Sequence, residues 1–98
     1  MLKLSEVTLY ASAAAGTGTA YGVDWQNGEV QTRRIVTVLA DAADSIAIEG
    51  TLDGTTWFNI ATHTGATTPY VDTLTGPYKQ IRAVKTGAAG LATVVGLI

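Results

Sequence analysis

The sequence predicts an all-β fold, a single antiparallel β-sandwich of about seven or eight short strands in a jelly-roll or immunoglobulin-like order. Apolar and polar residues alternate over short segments, and clusters of turn residues separate these segments along the chain. No segment is both long enough and periodic enough to indicate a helix. Since 98 residues suit one domain, we predict a single domain over residues 1–98. A closed barrel needs the same alternation and stays open as an alternative.

The N-terminal third is predicted to hold two strands separated by a loop. Alternation over residues 2–4 and 7–10 predicts the first strand, and residues 20–25 predict a second, shorter one. Between them, residues 11–20 are small and rich in glycine and threonine, and the run of helix formers is too short to nucleate a helix. We therefore expect a flexible loop or arm at 11–20. Asn-Gly within residues 26–29 supplies the positive φ of a tight turn.

The middle of the chain predicts a central strand and a hairpin. Residues 33–40 are rich in β-branched side chains and apolar on both faces, which indicates a central strand. Residues 45–52 and 56–62 both alternate, and the Asp-Gly-Thr sequence between them is typical of a turn. Together they predict a hairpin over residues 45–62.

The C-terminal third predicts three further strands. Residues 63–68 are a predicted polar loop and 69–72 an edge strand, because Pro69 cannot donate a ladder hydrogen bond. Residues 78–86 predict a strand with no cleanly apolar face, which indicates a position at an edge or an interface. Residues 91–98 are apolar to the last residue, so this strand must be covered by a sheet or by a partner.

The composition excludes several classes of function. The chain has no cysteine, which removes disulfide frameworks, thiolate metal sites and thiol nucleophiles. Eight acidic and six basic residues are scattered along it, without the basic stripe that binding of nucleic acid needs. The first residues lack the apolar core of a signal peptide, and no run is long enough to cross a bilayer. We therefore expect no nucleic acid and no membrane partner, and synthesis in a cytoplasm.

The sequence offers little catalytic chemistry. His63 is the one histidine, and the pattern places it in an exposed loop with no nucleophile or oriented base beside it. It has no neighbour at metal-ligand spacing, and the glycine-rich stretch lacks the lysine and the helix of a phosphate-binding loop. A converging pair of carboxylates stays open, although nothing favours any one pair. We predict no catalytic residue, metal, cofactor or small-molecule substrate, and hence no enzyme.

An excess of apolar residues indicates association with other proteins. Hydrophobic residues make up 47% of the chain and charged residues only 14%, against about 25% in typical soluble domains. A domain of this size buries only roughly 60 to 65% of the surface that its unfolded chain exposes, so a partner would add stability. The candidate interface residues are Trp25, Trp57, Tyr78 and Arg82, and internal packing of the aromatic rings is the alternative.

Two motifs resemble segments of small structural proteins of tailed bacteriophages. Residues 49–58, Glu-Gly-Thr-Leu-Asp-Gly-Thr-Thr-Trp-Phe, are similar to the E-x-S/T-x-D-G-T-T-W hairpin of those proteins. Residues 75–83, Thr-Gly-Pro-Tyr-Lys-Gln-Ile-Arg-Ala, are similar to their T-G-P-[YF]-x-x-[IL]-R segment. The opening strand, the small-residue stretch and the central apolar strand follow in the same order, so the resemblance extends over most of the chain. Lys79 and Lys85 depart from it, since such proteins often carry apolar or neutral residues there.

The resemblance implies a head decoration or cement protein of the virion. Such a protein is made in the bacterial host cytoplasm, binds the outer surface of the major capsid protein shell, and stabilises the head by contacting several subunits at once. The resemblance also implies a homotrimer, with residues 11–20 as a candidate for lying along a neighbouring subunit. A tail or neck structural subunit is the alternative within the virion. A small carbohydrate-binding β module that uses Trp25 or Trp57 is the alternative outside it.

Overall fold

The computed structural model describes residues 6–23, 32–65, 69–75 and 78–98. Over these residues the chain forms strands and no helix, so the prediction of an all-β fold is confirmed. The strands are β1 (Glu6–Ser12), β2 (Gly16–Thr17), β3 (Tyr21–Gly22), β4 (Arg33–Leu39), β5 (Ser45–Thr51), β6 (Trp57–Thr64), β7 (Tyr70–Leu74), β8 (Gln80–Thr86) and β9 (Ala92–Leu97). In the described part of the chain no helix is present that could span a membrane.

The strands form two antiparallel sheets that pack as a sandwich. Sheet A has the order β1-β9-β4-β7, and sheet B the order β6-β5-β8, with β2 and β3 both paired to the edge of β8 away from β5. Because β2 and β3 pair with successive parts of β8, they are two pieces of one interrupted strand. When β2 and β3 are counted as one strand, β1 pairs with β9, the β2 and β3 strand with β8, β4 with β7, and β5 with β6. This is the jelly-roll order, which decides between the two predicted arrangements.

The hydrophobic core lies between the two sheets and uses alternate residues of each strand. In β4 every second side chain, from Arg33 to Leu39, is buried, and the side chains between them are exposed. Strands β5, β8 and β9 alternate in a similar way. The fully buried apolar side chains are Leu9, Ile35, Ile46, Ile48, Ile81, Ala83, Ala92 and Val94. Each sheet therefore has one face in the core and one face outside.

Several predicted strand positions are confirmed. The hairpin over residues 45–62 is formed by β5 and β6, β7 lies at an edge of sheet A, and the apolar last strand is covered between β1 and β4. Residues 33–40 do form a central strand, but only one of its faces is buried. The other face, which contains Val36 and Val38, lies on the outside of the sandwich.

The predicted edge position of residues 78–86 is wrong. β8 lies inside sheet B, between β5 on one side and β2 and β3 on the other. Its mixed face is explained by Lys85, whose side chain is fully buried with its Nζ 3.2 Å from Asp44 Oδ2. The same Nζ donates to the carbonyl oxygens of Ala13 at 2.8 Å and Gly87 at 2.6 Å. An ammonium group satisfied in this way can occupy a core position.

The carboxylate of Asp44 is held from its other side by the loop between β8 and β9. The backbone amides of Ala89 and Gly90 donate to it at 3.1 and 2.8 Å. These amides and the Lys85 ammonium lower the pKa of Asp44 against the opposing effect of its desolvation. The ion pair therefore ties together β8, the start of β5, the β8–β9 loop and the segment after β1.

The segment 11–20, expected to be a flexible loop or arm, lies on the domain instead. β1 extends to Ser12, and β2 pairs with β8. The Gly18 amide donates to the carbonyl oxygen of Ala83 at 2.8 Å. This close approach requires glycine, since a Cβ on Gly18 would overlap the carbonyl oxygen of Leu9. The segment is therefore held along the edge of β8.

Some predicted features lie wholly or partly outside the described residues. Residues 2–4 of the first strand and the turn at 26–29 lie outside them. The second strand is described up to Val23, with β3 as its strand segment, and the loop predicted at 63–68 is described only to Gly65. The first two residues of this predicted loop, 63 and 64, belong to β6, which is longer than predicted.

Candidate protein-binding surfaces

The outer face of sheet A carries a group of exposed apolar side chains. Val36 is 37% exposed, Val71 62% and Leu97 45%, and Val38 and Val95 lie on the same face. We call these five residues the valine face. Single apolar residues on a surface are ordinary, but a contiguous group on one sheet face is typical of an interaction site.

Strand register makes the valine face continuous. Val36 in β4 pairs with Val71 in β7 and with Val95 in β9, so three valines form one row across sheet A. Val38 and Leu97 lie in the rows on either side of it. Directly paired residues have Cβ atoms about 5 Å apart, close enough for their side chains to touch.

Two opposite charges border the valine face at one end. Arg34 in β4 and Glu6 in β1 pair with Leu97 from its two sides. Both side chains are exposed, and within the described residues neither has an ion-pair partner. Because one strand separates them, the two residues lie about 10 Å apart. An open groove of about 220 Å³, lined by both residues and by the neighbouring valines, runs between them.

The outer face of sheet B is polar by comparison. Arg82 in β8 pairs with Glu49 in β5, and its Nε lies 2.8 Å from Glu49 Oε1. The Arg82 guanidinium also lies 4.0 Å from the centroid of the Trp57 ring, a cation–π contact. One face of that ring is therefore occupied. The other outward positions are mainly hydroxyl and amide side chains, including Ser45, Asn59, Thr62, Thr64, Gln80 and Thr86.

The end of the β5–β6 hairpin forms a second apolar surface. Leu52 is 62% exposed and Phe58 39%, and together with Asp53 and Thr56 they line an open hollow of about 250 Å³. We call Leu52 and Phe58 the hairpin tip. The Phe58 ring contacts Tyr78, with centroids 5.7 Å apart and planes tilted by 45°.

Tyr78 is fixed beneath the hairpin tip by a glycine in β5. A Cβ on Gly50 would lie 2.8 Å from the Tyr78 ring and 2.8 Å from Ile60, so only glycine lets the ring lie this close to the strand. Tyr78 is half-buried and packs against the core. It therefore supports the hairpin tip from the core side.

The hairpin turn is held by Asp53. Its Oδ1 accepts hydrogen bonds from the backbone amides of Thr56 and Thr55 at 2.7 Å each, and from the Thr51 hydroxyl at 3.0 Å. These donors lower the pKa of Asp53 from 3.8 to about 2. Gly54, with φ of 87°, supplies the left-handed conformation that the turn requires.

Acid should therefore weaken this turn. Because the folded pKa lies below the unfolded one, the Asp53 carboxylate stabilises the fold above about pH 4, and this contribution is lost as the pH falls to about 2. Asp53→Asn keeps an oxygen acceptor but cannot ionise, so the stability difference between wild type and variant should shrink over that interval. Urea unfolding from about pH 5 to about pH 2 measures the difference. A difference that stays constant would show that the charge contributes nothing.

His63 lies in β6 and not in an exposed loop, which corrects the prediction made for it. Its Nε2 is 2.6 Å from Asp72 Oδ2, both side chains are 17% exposed, and its ring stacks on Tyr70 with centroids 4.4 Å apart. The pair joins the edge of sheet B to the edge of sheet A, as a structural bridge would. In the ranges that the structure describes, no group of three or more His, Cys, Asp or Glu side chains could hold a metal ion.

The predicted interface residues that the structure describes lie on two surfaces. Trp57 and Arg82 come together on the outer face of sheet B, and Tyr78 supports the hairpin tip. Trp25 lies outside the described residues. Sequence reasoning missed the valine face, although residues 33–40 carried its signal, since they are apolar at inward and outward positions alike.

Comparison of the chain with known proteins gives no match: no family model, no curated protein and no solved structure is similar to it. Its function is therefore inferred from the surfaces described above.

Proposed function

We propose that this protein is a structural component of a tailed-bacteriophage virion, a decoration protein that binds the outer surface of the capsid shell and stabilises the head. The observation that carries the proposal is the presence of two separate apolar surfaces, the valine face on sheet A and the hairpin tip on sheet B. A protein that clamps a shell has to contact more than one subunit, and several weak contacts then strengthen one another. Two such surfaces provide contacts in two directions, one to a capsid subunit and one to a neighbouring protein on the shell.

The phage-like motif at residues 49–58 coincides with one of these surfaces. It contains the end of β5, the turn held by Asp53 and the start of β6. The turn places Leu52 and Phe58 at the exposed end of the hairpin. This coincidence favours the hairpin tip as the surface that meets the major capsid protein.

At Trp57 the carbohydrate-binding alternative has less support. Sugar rings stack on an open aromatic face, and one face of Trp57 is occupied by Arg82, which is itself paired with Glu49. The lack of enzymatic activity and the homotrimer stay predictions. The tail or neck alternative differs from the capsid proposal only in the virion protein that the chain binds.

Co-sedimentation with capsids tests the proposal. Undecorated heads assembled from the major capsid protein of the same genome should bind the purified chain and then withstand higher temperatures. Free coat subunits should bind more weakly, because several contacts act together only on the shell. Heads that neither bind the chain nor gain heat resistance would contradict a capsid role. Electron microscopy of labelled particles, with signal confined to the tail, would assign the protein there instead.

Leu52→Asp tests the hairpin tip directly. Leu52 is exposed, so the variant should fold, but capsid affinity should fall by about tenfold or more because the new carboxylate is desolvated without a partner. Thr62→Asp is the matched control, since Thr62 is an exposed residue of the same hairpin away from its end. Equal capsid binding by the two variants would exclude the hairpin tip as the contact.

A further inference from the structure

The hairpin tip is the surface favoured for the capsid contact, and the charges at the border of the valine face indicate what covers this second apolar surface. We propose that the outer face of sheet A packs against the same face of a second copy of this chain, as a two-fold dimer with the two β9 strands at its centre. The inference goes beyond the proposed function. It applies whether or not the hairpin tip binds a capsid protein, and it replaces the homotrimer that the phage resemblance implies.

The positions of Glu6 and Arg34 favour a second copy over an unrelated partner. They lie on the two strands that flank β9, level with Leu97. A two-fold axis parallel to β9 exchanges the two sides of the sheet, so Glu6 of each copy comes to lie opposite Arg34 of the other. Leu97 then meets its own counterpart on the axis. The surface is complementary to itself, which is what an isologous interface requires.

The spacing of packed sheets suits this contact. Two β-sheets lie about 10 Å apart face to face, a gap that arginine and glutamate side chains span together. The strands of two packed sheets cross at about 30°. At that angle, residues that lie one strand away from the two-fold axis are still nearly opposite each other. Two intermolecular ion pairs are formed in the dimer.

The outer face of sheet B shows the contrasting case. There Arg82 and Glu49 occupy neighbouring strands and satisfy each other within one copy. On sheet A the two charges are one strand too far apart and have no ion-pair partner among the described residues. A second copy would give each of the two charges an ion-pair partner.

The apolar part of the contact comes from the valines. Val95 lies beside Leu97 on β9, and Val36 and Val38 lie one strand away. A face of four strands is about 20 Å wide. With strands about 20 Å long, the face covers about 400 Å² in each copy, below the roughly 800 Å² per partner that a standard stable interface buries, so the dimer should dissociate on dilution.

Light scattering of the purified chain over a range of concentrations tests the dimer. The wild-type mass should rise from that of a monomer to that of a dimer. Glu6→Arg and Arg34→Glu should each raise the dissociation constant of the dimer by about tenfold or more. Each substitution turns both intermolecular ion pairs into pairs of like charge. The double variant Glu6→Arg/Arg34→Glu should restore the dimer, because the same two pairs form with their roles exchanged.

Val36→Asp adds a test of the apolar contact, with Thr62→Asp on the outer face of sheet B as its control. The first should abolish the dimer and the second should leave it intact. A protein that stays monomeric at every concentration, or one that forms the trimer implied by the phage resemblance, would overturn the two-fold contact. Capsid binding is measured separately by co-sedimentation. A monomer that binds undecorated heads would overturn this inference alone. A dimer that does not bind them would overturn only the capsid proposal.

Discussion

Replacing Lys85 with methionine is expected to lower the melting temperature of this domain by roughly 15 °C or more. The Lys85 ammonium is fully buried and is the cation that compensates the carboxylate of Asp44. Methionine fills a similar volume but leaves that carboxylate without a positive partner. It also removes the donor to the carbonyl oxygens of Ala13 and Gly87. Losing one partner of a buried pair costs more than the intact pair contributes, and thermal unfolding followed by circular dichroism measures the loss.

Lys79→Met is the matched control for this experiment. Lys79 is exposed just before the same strand, so its variant should melt within a few degrees of the wild type. The double variant Lys85→Met/Asp44→Asn should recover part of the loss, because it removes the buried negative charge as well. If Lys85→Met melted together with the control, the buried ion pair would be disproved. A double variant less stable than Lys85→Met would show that the two groups are not coupled in this way.

Gly18→Ala should destabilise the domain by about 3 kcal/mol. A Cβ at this position would overlap the carbonyl oxygen of Leu9 and lie 2.9 Å from the Tyr10 ring, so the segment would have to move away from β1 and β8. The movement breaks the hydrogen bond from the Gly18 amide to Ala83. Urea unfolding gives the stability, and hydrogen exchange at residue 18 gives the loss of the bond.

Gly22→Ala provides the comparison, because among the described residues a Cβ there meets no atom closer than the carbonyl oxygen of Lys79 at 4.0 Å. Its effect should be small. Equal stability of the two variants, with the amide at residue 18 still protected, would show that the segment after β1 does not lie against β8.

Alternation alone was enough to predict an all-β fold, because a strand with one face in the core repeats its burial every second residue. It does not separate a sandwich from a closed barrel, which shows the same alternation. The strand order could not be predicted in the same way. Jelly-roll and immunoglobulin-like domains use the same alternation, and the difference between them lies in pairs far apart in sequence, such as Glu6 with Leu97.

The sequence mispredicts the position of β8, because a lysine usually indicates an exposed face. Lys85 occupies a core position, and what allows this is Asp44, together with the carbonyl groups of Ala13, far away in sequence, and of Gly87, two residues further on. Nothing in the sequence around residues 80–86 identifies Asp44 or Ala13 as a partner of Lys85. A buried charge can be recognised only when its partner is already known to be close.

The valine face was missed for a related reason. Within β4 the inward set contains Arg33 and Thr37, whereas the outward set contains Val36 and Val38. Apolar character therefore gives no indication of which set points to the core. The predicted interface rests on aromatic residues instead, and of those described, Trp57 contacts Arg82 and Tyr78 contacts Phe58 within the chain.

The pairing of the first strand with the last determines when this chain can fold during its synthesis. The β5–β6 hairpin is local and can form as soon as it leaves the ribosome. Sheet A cannot close until β9 has emerged and entered between β1 and β4. Until then both strands keep an open edge, the state in which β proteins aggregate most readily. A ribosome paused before residue 92 would carry a chain whose β1 and β4 still lack the strand that joins them.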